Sequence, residues 1–424
     1  MSLWRLSRCG LRSRAALAKT HMQRRHDGIL ASSHVPLKLT TEPKNLESEI
    51  FLRRALASGG SKKDFMQFLR IVAHEGKLTS GLVNEMKIGE DWLLSNLKDV
   101  NEPAHILGFL GGLCANPFPL TELDEEITKA LLDKSTAVLP KLEKNTASFH
   151  LLAMVAPAVQ RLRYYHEPFM AALHEWSLDA AYNYHFPQCY TDGAIVAGSF
   201  GNAGYQAYDI VSHLVEECMR VAVSVHDHAV PLEVITECMW AAVSHGHVLT
   251  KEAWDYLGTK NSVEFIGPAR YNRDTLDKIE VIFDALPISY QSFHSSHTER
   301  LREIRAHVRL ELEYVHSRVE HVFPTIKAYE DCVGEKPLAA YLDCDTKMPQ
   351  PWGKEANTKL VALVLCRNER TLRPAGHYDG MVKHRCDTLA KKGMSVAVLP
   401  LEKVRGLSAI ETAAQCLRAM QGII

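Results

Sequence analysis

The C-terminal part of the chain, from Ala339 to Leu407, constrains the fold most because it alternates short apolar runs with one basic amphipathic segment. The runs at 360–366 and 394–399 are short, nearly all apolar and rich in β-branched residues. This pattern is typical of strands that are buried on both faces. An earlier run, 339–345, predicts another strand, and Pro400 is expected to end the last one.

The segment from Gly380 to Gly393 predicts a helix between the last two strands. Its apolar residues recur at helical spacing: Met381, Cys386, Leu389 and Ala390. Gly393 occupies the position of a helix C-cap, and Lys391 and Lys392 fall in the last turn, where cations suit the helix dipole. With a closing helix around 410–420, the order is strand, strand, basic helix, strand, helix, which predicts a small α/β unit.

This order, with Lys383-His384-Arg385 opening the helix and the run from Lys391 to Val396 closing it, resembles the RAP domain. The resemblance covers the chain from about residue 339 onward. RAP domains occur mostly in organellar RNA-binding proteins, including the FAST-kinase-like mitochondrial proteins, where helical arrays precede them. They are related to a restriction-endonuclease-like fold. The resemblance therefore implies RNA binding in an organelle and raises the question of cleavage.

A nuclease of the related fold needs an acidic residue on one strand and an acidic-x-Lys pattern on the next, which together hold a divalent ion. Asp343 and Asp345 are candidates for the first carboxylate, but the second strand offers only the apolar run that ends at Cys366. Glu369 lies in the loop beyond, and no lysine follows it at the required spacing. The sequence therefore predicts binding without cleavage, with no catalytic residue, metal site or cofactor. An endoribonuclease remains an alternative.

Basic residues concentrate on the predicted helix and on the loop before it. The candidate RNA-binding residues are Arg367, Arg370, Arg373, His377, Lys383, His384, Arg385, Lys391 and Lys392. The alternative interpretation is a solvated helix face that binds no partner. Two HxH pairs, at 226–228 and 245–247, have no third or fourth ligand placed by the sequence, and so no metal site is predicted there.

The N-terminal segment 1–26 contains seven Lys and Arg residues and no acidic residue before Asp27. It lacks an apolar run of the length found in signal peptides or membrane spans. It predicts a mitochondrial targeting peptide and a location in the mitochondrial matrix, with a disordered basic arm that touches nucleic acid as the alternative. Ten cysteines without a CxxC pair fit such a reducing interior.

Removal of that segment leaves a net negative protein. The chain has 49 Lys and Arg against 50 Asp and Glu, and the loss of seven basic residues leaves 42 against 50, or −8 with neutral histidines. Bulk charge therefore cannot drive nucleic-acid binding, and any RNA site must be a local basic patch.

Residues 27–61 are predicted to be a linker, 62–330 a helical-repeat domain and 331–424 the RAP-like domain. Small, apolar helices recur at 106–113, 151–156, 195–200 and 238–243, each followed by a second helix. The anchors of these second helices, Ile127, Phe169, Ile210 and Trp254, are 42, 41 and 44 positions apart. A two-helix period of this length is typical of an α-solenoid. Leu152, Ile195 and Met239 are expected to be buried in it.

The sequence thus predicts a mostly α protein, an α-solenoid of helical hairpins followed by a small α/β RAP-like, restriction-endonuclease-like domain. We expect a mitochondrial RNA-binding protein that is not an enzyme and acts on ribosomal RNA as a mitoribosome component or assembly factor. Its expected partners are mitochondrial RNA and ribonucleoprotein subunits, and no membrane span is predicted. The alternatives are a factor for transcript stability or processing, an endoribonuclease, and a scaffold that binds only proteins.

Overall fold

A computed structural model shows a mostly helical chain with a small sheet in its C-terminal part. It describes residues 46–75, 85–115, 120, 123–183, 190–224, 232–247, 277–279, 281–282, 312–330, 336–353 and 357–424. The predicted targeting peptide 1–26, most of the predicted linker and the predicted anchor Trp254 lie outside these residues. Contacts divide the chain into two units, 1–200 with 205–245, and 201–204 with 246–424.

The described part of the first unit is helical. Its helices are α1 (Leu46–Ser58), α2 (Lys62–Glu75), α3 (Glu90–Asp99), α4 (Pro103–Cys114), α5 (Glu125–Val138), α6 (Thr146–Val155), α7 (Ala158–Leu162), α8 (Glu167–Asn183), α9 (Tyr190–Ala203), α10 (Tyr208–Ser224) and α11 (Leu232–Ser244). Side-chain caps begin several of them: the carboxylate of Asp124 accepts the N–H of Glu126, and the amide oxygen of Asn145 accepts the N–H of Ser148. Each cap satisfies one backbone donor that the first helical turn leaves without an intrahelical partner.

Small residues let neighbouring helices of this unit approach closely. A Cβ atom added to Gly112 of α4 would lie 2.2 Å from the carbonyl oxygen of Val72 in α2, so that only glycine fits there. Leu152 and Met239 are fully buried, as predicted, but Ile195 is only half-buried and its neighbour Val196 takes the buried position. One position along a helix turns the side chain by about 100°, which explains the difference.

Polar contacts tie helices of the first unit together at a recurrent sequence separation. Four of them join residues 33 to 36 positions apart: Lys134 Nζ to the carbonyl of Lys98, His166 Nε2 to Asp133, His174 Nε2 to Asp209, and Trp176 Nε1 to the carbonyl of Leu142. The donor–acceptor distances lie between 2.7 and 3.1 Å. The pairs link α5 with α3, the residue before α8 with α5, α8 with α10, and α8 with the turn that follows α5.

Among the described residues of the second unit, the strands form two small sheets. The strands are β1 (Lys327–Ala328), β2 (Leu338–Asp343), β3 (Pro349–Gln350), β4 (Thr358–Cys366), β5 (Thr371–Leu372), β6 (His377–Tyr378) and β7 (Ser395–Pro400). The main sheet has the order β1-β2-β4-β7, with β3 paired to β2, and β5 pairs with β6 separately. β2 and β4 are antiparallel, whereas β4 and β7 are parallel and joined by the crossover helix α12 (Gly380–Lys391).

Local sequence sets the ends of the helices in this unit. The carboxylate of Asp379 accepts the N–H of Val382 and caps α12. Gly393 follows the helix with φ +85°, a left-handed conformation that favours glycine. The closing helix α13 (Ala409–Gln421) starts with a capping box between Ser408 and Glu411.

The two faces of the main sheet bury separate apolar clusters. On the first face, β2, β4 and β7 pack against α13 and against a helix at 312–322, with Val319, Leu363 and Met420 fully buried. On the second face, Ala362, Val364 and Cys366 of β4 pack against α12. Within the described residues, no helix combines the length and apolar character that a bilayer crossing requires.

Candidate RNA-binding surface

The predicted basic residues of the second unit fall on two adjacent segments. Lys383, His384, Arg385 and Lys391 lie on α12, and Lys392 is its C-cap. Arg367, Arg370, Arg373 and His377 lie in the segment between β4 and α12. Their environments differ strongly, and these differences decide which charges reach solvent.

Arg367 and Arg370 form a nearly buried ion network. Both contact the carboxylate of Asp277, Arg370 Nη2 at 2.5 Å and Arg367 Nη2 at 3.4 Å. Arg370 Nη1 also lies 2.7 Å from Asp379, and Arg367 Nη1 lies 2.8 Å from Glu369. The side chains of the two arginines are only 9% and 11% exposed. Their charge is therefore used inside the unit, where Arg370 holds Asp379 at the start of α12, and neither arginine belongs to the surface cations.

Lys383 and His384 also add little positive charge to the surface of the unit. Lys383 Nζ donates a hydrogen bond of 3.0 Å to the carbonyl oxygen of Gly204, which belongs to the same unit. Burial, followed by the positive charge of Lys391, lowers the pKa of His384 below its ordinary value. A histidine with a lowered pKa is mostly neutral at pH 7.

The most exposed of the predicted cations lie at the C-terminal end of α12. Lys391 and Lys392 are exposed, and Arg385 is half-buried. Lys392 Nζ lies 5.8 Å from the ring centroid of Tyr329, within the range of a cation–π contact. Arg373 and His377 are half-buried in the preceding segment. The sequence did not point to Tyr329, because one tyrosine beside a strand of two residues gives no periodic signal.

Asp343, the candidate nuclease carboxylate, is used by its own turn. Its Oδ1 accepts the N–H of Asp345 at 3.0 Å, the N–H of Thr346 at 2.7 Å and the hydroxyl of Thr346 at 2.9 Å. These hydrogen bonds, led by those of Thr346, lower the pKa of Asp343. Asp345 in turn accepts the side-chain amide of Asn357 at 2.8 Å.

Glu369, the acidic residue nearest to the end of the second strand, lies at the opposite end of the sheet from Asp343. Asp343 pairs with Thr358 at the start of β4, whereas Glu369 follows the end of this strand. Eight residue steps along β4 span about 26 Å, so that Asp343 and Glu369 cannot bind the same ion. In the part of the chain that the structure describes, no three His, Cys, Asp or Glu residues lie close enough to hold a metal.

In the HxH pair at 245–247, both ring nitrogens of His245 lie within hydrogen-bond distance of backbone carbonyls. His245 Nδ1 lies 2.8 Å from the carbonyl oxygen of Ala241, and Nε2 lies 3.1 Å from that of Tyr205. Both ring nitrogens thus face backbone carbonyls near the end of α11. The other pair, at 226–228, lies outside the described residues.

Comparison with known proteins adds no assignment: no family model matches the chain, and no curated protein matches it either. The geometry of the chain itself must therefore support any functional conclusion.

Proposed function

We propose that this protein binds RNA through the second unit and holds it without cutting it. The observation that carries the proposal is the cationic end of α12, where Lys391 and Lys392 are exposed and Lys392 lies near the Tyr329 ring, with half-buried Arg385 about two turns earlier on the helix. Ammonium and guanidinium groups contact phosphates, and an adjacent aromatic ring offers a face to a base. Arg370 of the ion network pairs with Asp379, which caps the start of the helix that carries these lysines.

The helical part of the proposal is that the first unit is an α-solenoid of helical hairpins. The four polar contacts between residues 33 to 36 positions apart support it, because they link successive parts of the helical unit at a nearly constant sequence separation. For the second unit we propose a RAP-like, restriction-endonuclease-like α/β domain. The observed order of β2, β4, α12, β7 and α13 supports this assignment.

The proposal that the protein is not an enzyme is supported by the carboxylates. Asp343 uses one oxygen to close its own turn, and Glu369 neutralises Arg367 at the far end of β4. A hard divalent cation needs several oxygen ligands at one place, and these two residues do not supply them.

The proposed setting is mitochondrial ribosomal RNA, with the protein as a mitoribosome component or assembly factor. A net charge of −8 without segment 1–26 suits a protein that is embedded in a particle and makes few phosphate contacts of its own. In the alternative setting, as a factor for transcript stability or processing, the protein would bind RNA through the same surface. A protein-only scaffold is the second candidate, favoured by the internal pairing of Arg367 and Arg370.

The matrix location is tested by removal of segment 1–26 from a fluorescent fusion, which should leave the protein in the cytosol. A truncated fusion that still fills mitochondria would contradict the targeting proposal. Co-sedimentation of the protein with a ribosomal subunit in mitochondrial lysate tests the setting, since a light free fraction favours the transcript factor.

RNA binding is tested by fluorescence anisotropy with fragments of mitochondrial rRNA over a range of salt concentrations. Replacement of Lys391 and Lys392 by alanine should weaken binding and lower the salt slope by about one unit for each lost phosphate contact. The matched control is the Lys62→Ala, Lys63→Ala variant, which removes an adjacent pair of exposed lysines from α2. Equal loss in both variants would refute the proposed surface, and RNA cleavage on addition of magnesium or manganese would refute the non-enzyme proposal.

A further inference from the structure

An aromatic pair lies on the surface where β3 ends. The ring centroids of Tyr341 and Trp352 are 5.7 Å apart with their planes at 86°, an edge-to-face arrangement. Trp352 is 41% exposed, and Tyr341 is half-buried. The indole N–H of Trp352 donates a hydrogen bond of 2.9 Å to the carbonyl oxygen of Thr325, just before β1. This bond orients the tryptophan ring at the sheet edge.

Strand register places this pair on the same face of the sheet as α12. Side chains alternate between faces along a strand, and paired residues of antiparallel strands share a face. Tyr341 lies two positions from Ala339 along β2, and Ala339 is the partner of Ala362 in the β2–β4 pairing, so Tyr341 and Ala362 are two rungs apart. Ala362 contacts the α12 cluster, so Tyr341 projects on that face as well.

Two lysines extend along this face. Lys327 pairs with Ala339 and is exposed, which places it on the face of Tyr341 one strand away. Tyr329, two positions beyond Lys327, shares the face and carries Lys392 near its ring. The N–H of Tyr329 donates to the carbonyl of Pro337, four positions from Tyr341, which corresponds to about 13 Å along β2.

We infer that Tyr341 and Trp352 form a stacking subsite for an unpaired base of single-stranded RNA, with Lys327 and Lys392 placed to contact phosphates of the same strand. This inference rests on the proposed function and adds the class of RNA, a single strand of a few nucleotides. In an edge-to-face pair, one ring presents its edge to the other and keeps both of its own faces clear of its partner. A base can stack on such a face, whereas the bases of a duplex are covered by their neighbours.

The charges on this face favour RNA over an apolar peptide as the occupant. The face carries Lys327, two positions before Tyr329, and Lys392, whose Nζ lies 5.8 Å from the Tyr329 ring. Of the described acids near this face, Glu320 accepts the N–H of Ala328, Asp343 closes its own turn, and Glu330 pairs with Lys336. A run of aromatic rings with cations between them suits a chain that alternates planar bases with anionic phosphates.

The test uses the full chain and two labelled RNA strands of equal length, one with mixed adenine and uracil bases and one whose sites are abasic. The abasic strand keeps the phosphates and lacks the rings. The Trp352→Leu and Tyr341→Leu variants should each weaken binding of the normal strand by roughly 5- to 150-fold, as expected for about 1–3 kcal/mol of stacking per base. Binding of the abasic strand and the salt slope should stay unchanged.

Conservative variants separate stacking from folding. Trp352→Phe loses the hydrogen bond to Thr325 but keeps a ring, and Tyr341→Phe keeps its ring as well; both should bind the normal strand within a few-fold of the wild type. RNA should quench tryptophan fluorescence more in the wild type than in Trp352→Phe, which gives a readout in a variant that preserves packing. Circular dichroism checks that each leucine variant remains folded.

Three outcomes would overturn the inference. The first is normal affinity in folded leucine variants, and the second is an equal loss for normal and abasic strands. The third is equal quenching in the wild type and Trp352→Phe, which also decides the case if the leucine variants fail to fold. A further overturning outcome, beyond these three on RNA, is tight binding of a proline-rich peptide in place of RNA, which would assign the pair to a protein partner. If the wild type binds neither strand, the proposed function itself fails, whereas salt-dependent binding that ignores Trp352 refutes the stacking subsite alone.

Discussion

Replacement of Asp277 by asparagine should destabilise the second unit, because this carboxylate joins two nearly buried guanidiniums. Its side chain is 8% exposed, and those of Arg367 and Arg370 are 9% and 11% exposed. Loss of one member of a buried ion pair costs about 3–5 kcal/mol, since the remaining charge is left without its partner. Asparagine preserves the volume, and Glu369 and Asp379 still contact the arginines. We therefore expect the lower end, about 3 kcal/mol.

This loss can be measured as a shift in melting temperature by calorimetry of the full chain. For a unit of 150–250 residues, each kcal/mol lowers the melting temperature by about 2–4 °C, so the transition of the second unit should fall by about 6–12 °C. The shift should persist in 1 M salt, because salt screens buried charges poorly. The matched control is Asp387→Asn on the exposed side of α12, which should stay within about 0.5 kcal/mol of the wild type.

Equal stability of the Asp277→Asn and Asp387→Asn variants would refute the structural role of the network. So would an Arg367→Ala variant that melts like the wild type but binds RNA more weakly, since its charge would then be available to the ligand. If the network is structural, Arg367→Ala should instead lower the melting temperature of the second unit.

Three further changes test other parts of the structure. Leu152→Ala should cost the first unit about 2–5 kcal/mol in urea denaturation, whereas Ile50→Ala at an exposed position should cost far less; similar losses would contradict the core assignment. Ser408→Ala removes the capping box of α13 and should cost about 1 kcal/mol, and an unchanged urea midpoint would count against the cap. The pKa of His384 is lowered by burial and by Lys391, so the unfolded chain binds the proton first and stability should fall as the pH drops below about 6.5. In the His384→Gln variant, the melting temperature should depend less on pH between 7.5 and 5.5. A pH profile identical to that of the wild type would refute the role of His384.

The elements of the C-terminal unit could be predicted because their signals are local. The apolar run at 360–366 lies within β4, and the run at 394–399 matches β7 to within one residue at each end. The predicted helix begins at Gly380, as α12 does. Its buried stripe was harder to predict: Ala390 is exposed, while Val382 packs on the sheet. The direction in which a helix crosses the sheet selects this stripe, and the helical period alone does not give that direction.

The candidate site could be predicted only in part, because its decisive contacts are distant in sequence. Basic character marked α12 and the loop before it, but the carboxylate that engages Arg367 and Arg370 is 90 and 93 positions away. No spacing rule connects such residues. Trp352 was missed for a different reason: β3 has only two residues, too few to show the alternation that identifies a strand.

The burial of the first sheet face also has a consequence for synthesis of the chain. The strand β4 ends at Cys366, but α13, which covers that face, is complete only at Gln421. At about 5–20 residues per second, a ribosome needs about 3–11 seconds to make the intervening stretch. In the first unit, four polar contacts join residues only 33 to 36 positions apart, so that these parts can dock as they emerge. In the nascent second unit, in contrast, the apolar face of β4 stays uncovered during this interval. A chaperone therefore finds the largest exposed apolar surface at this stage.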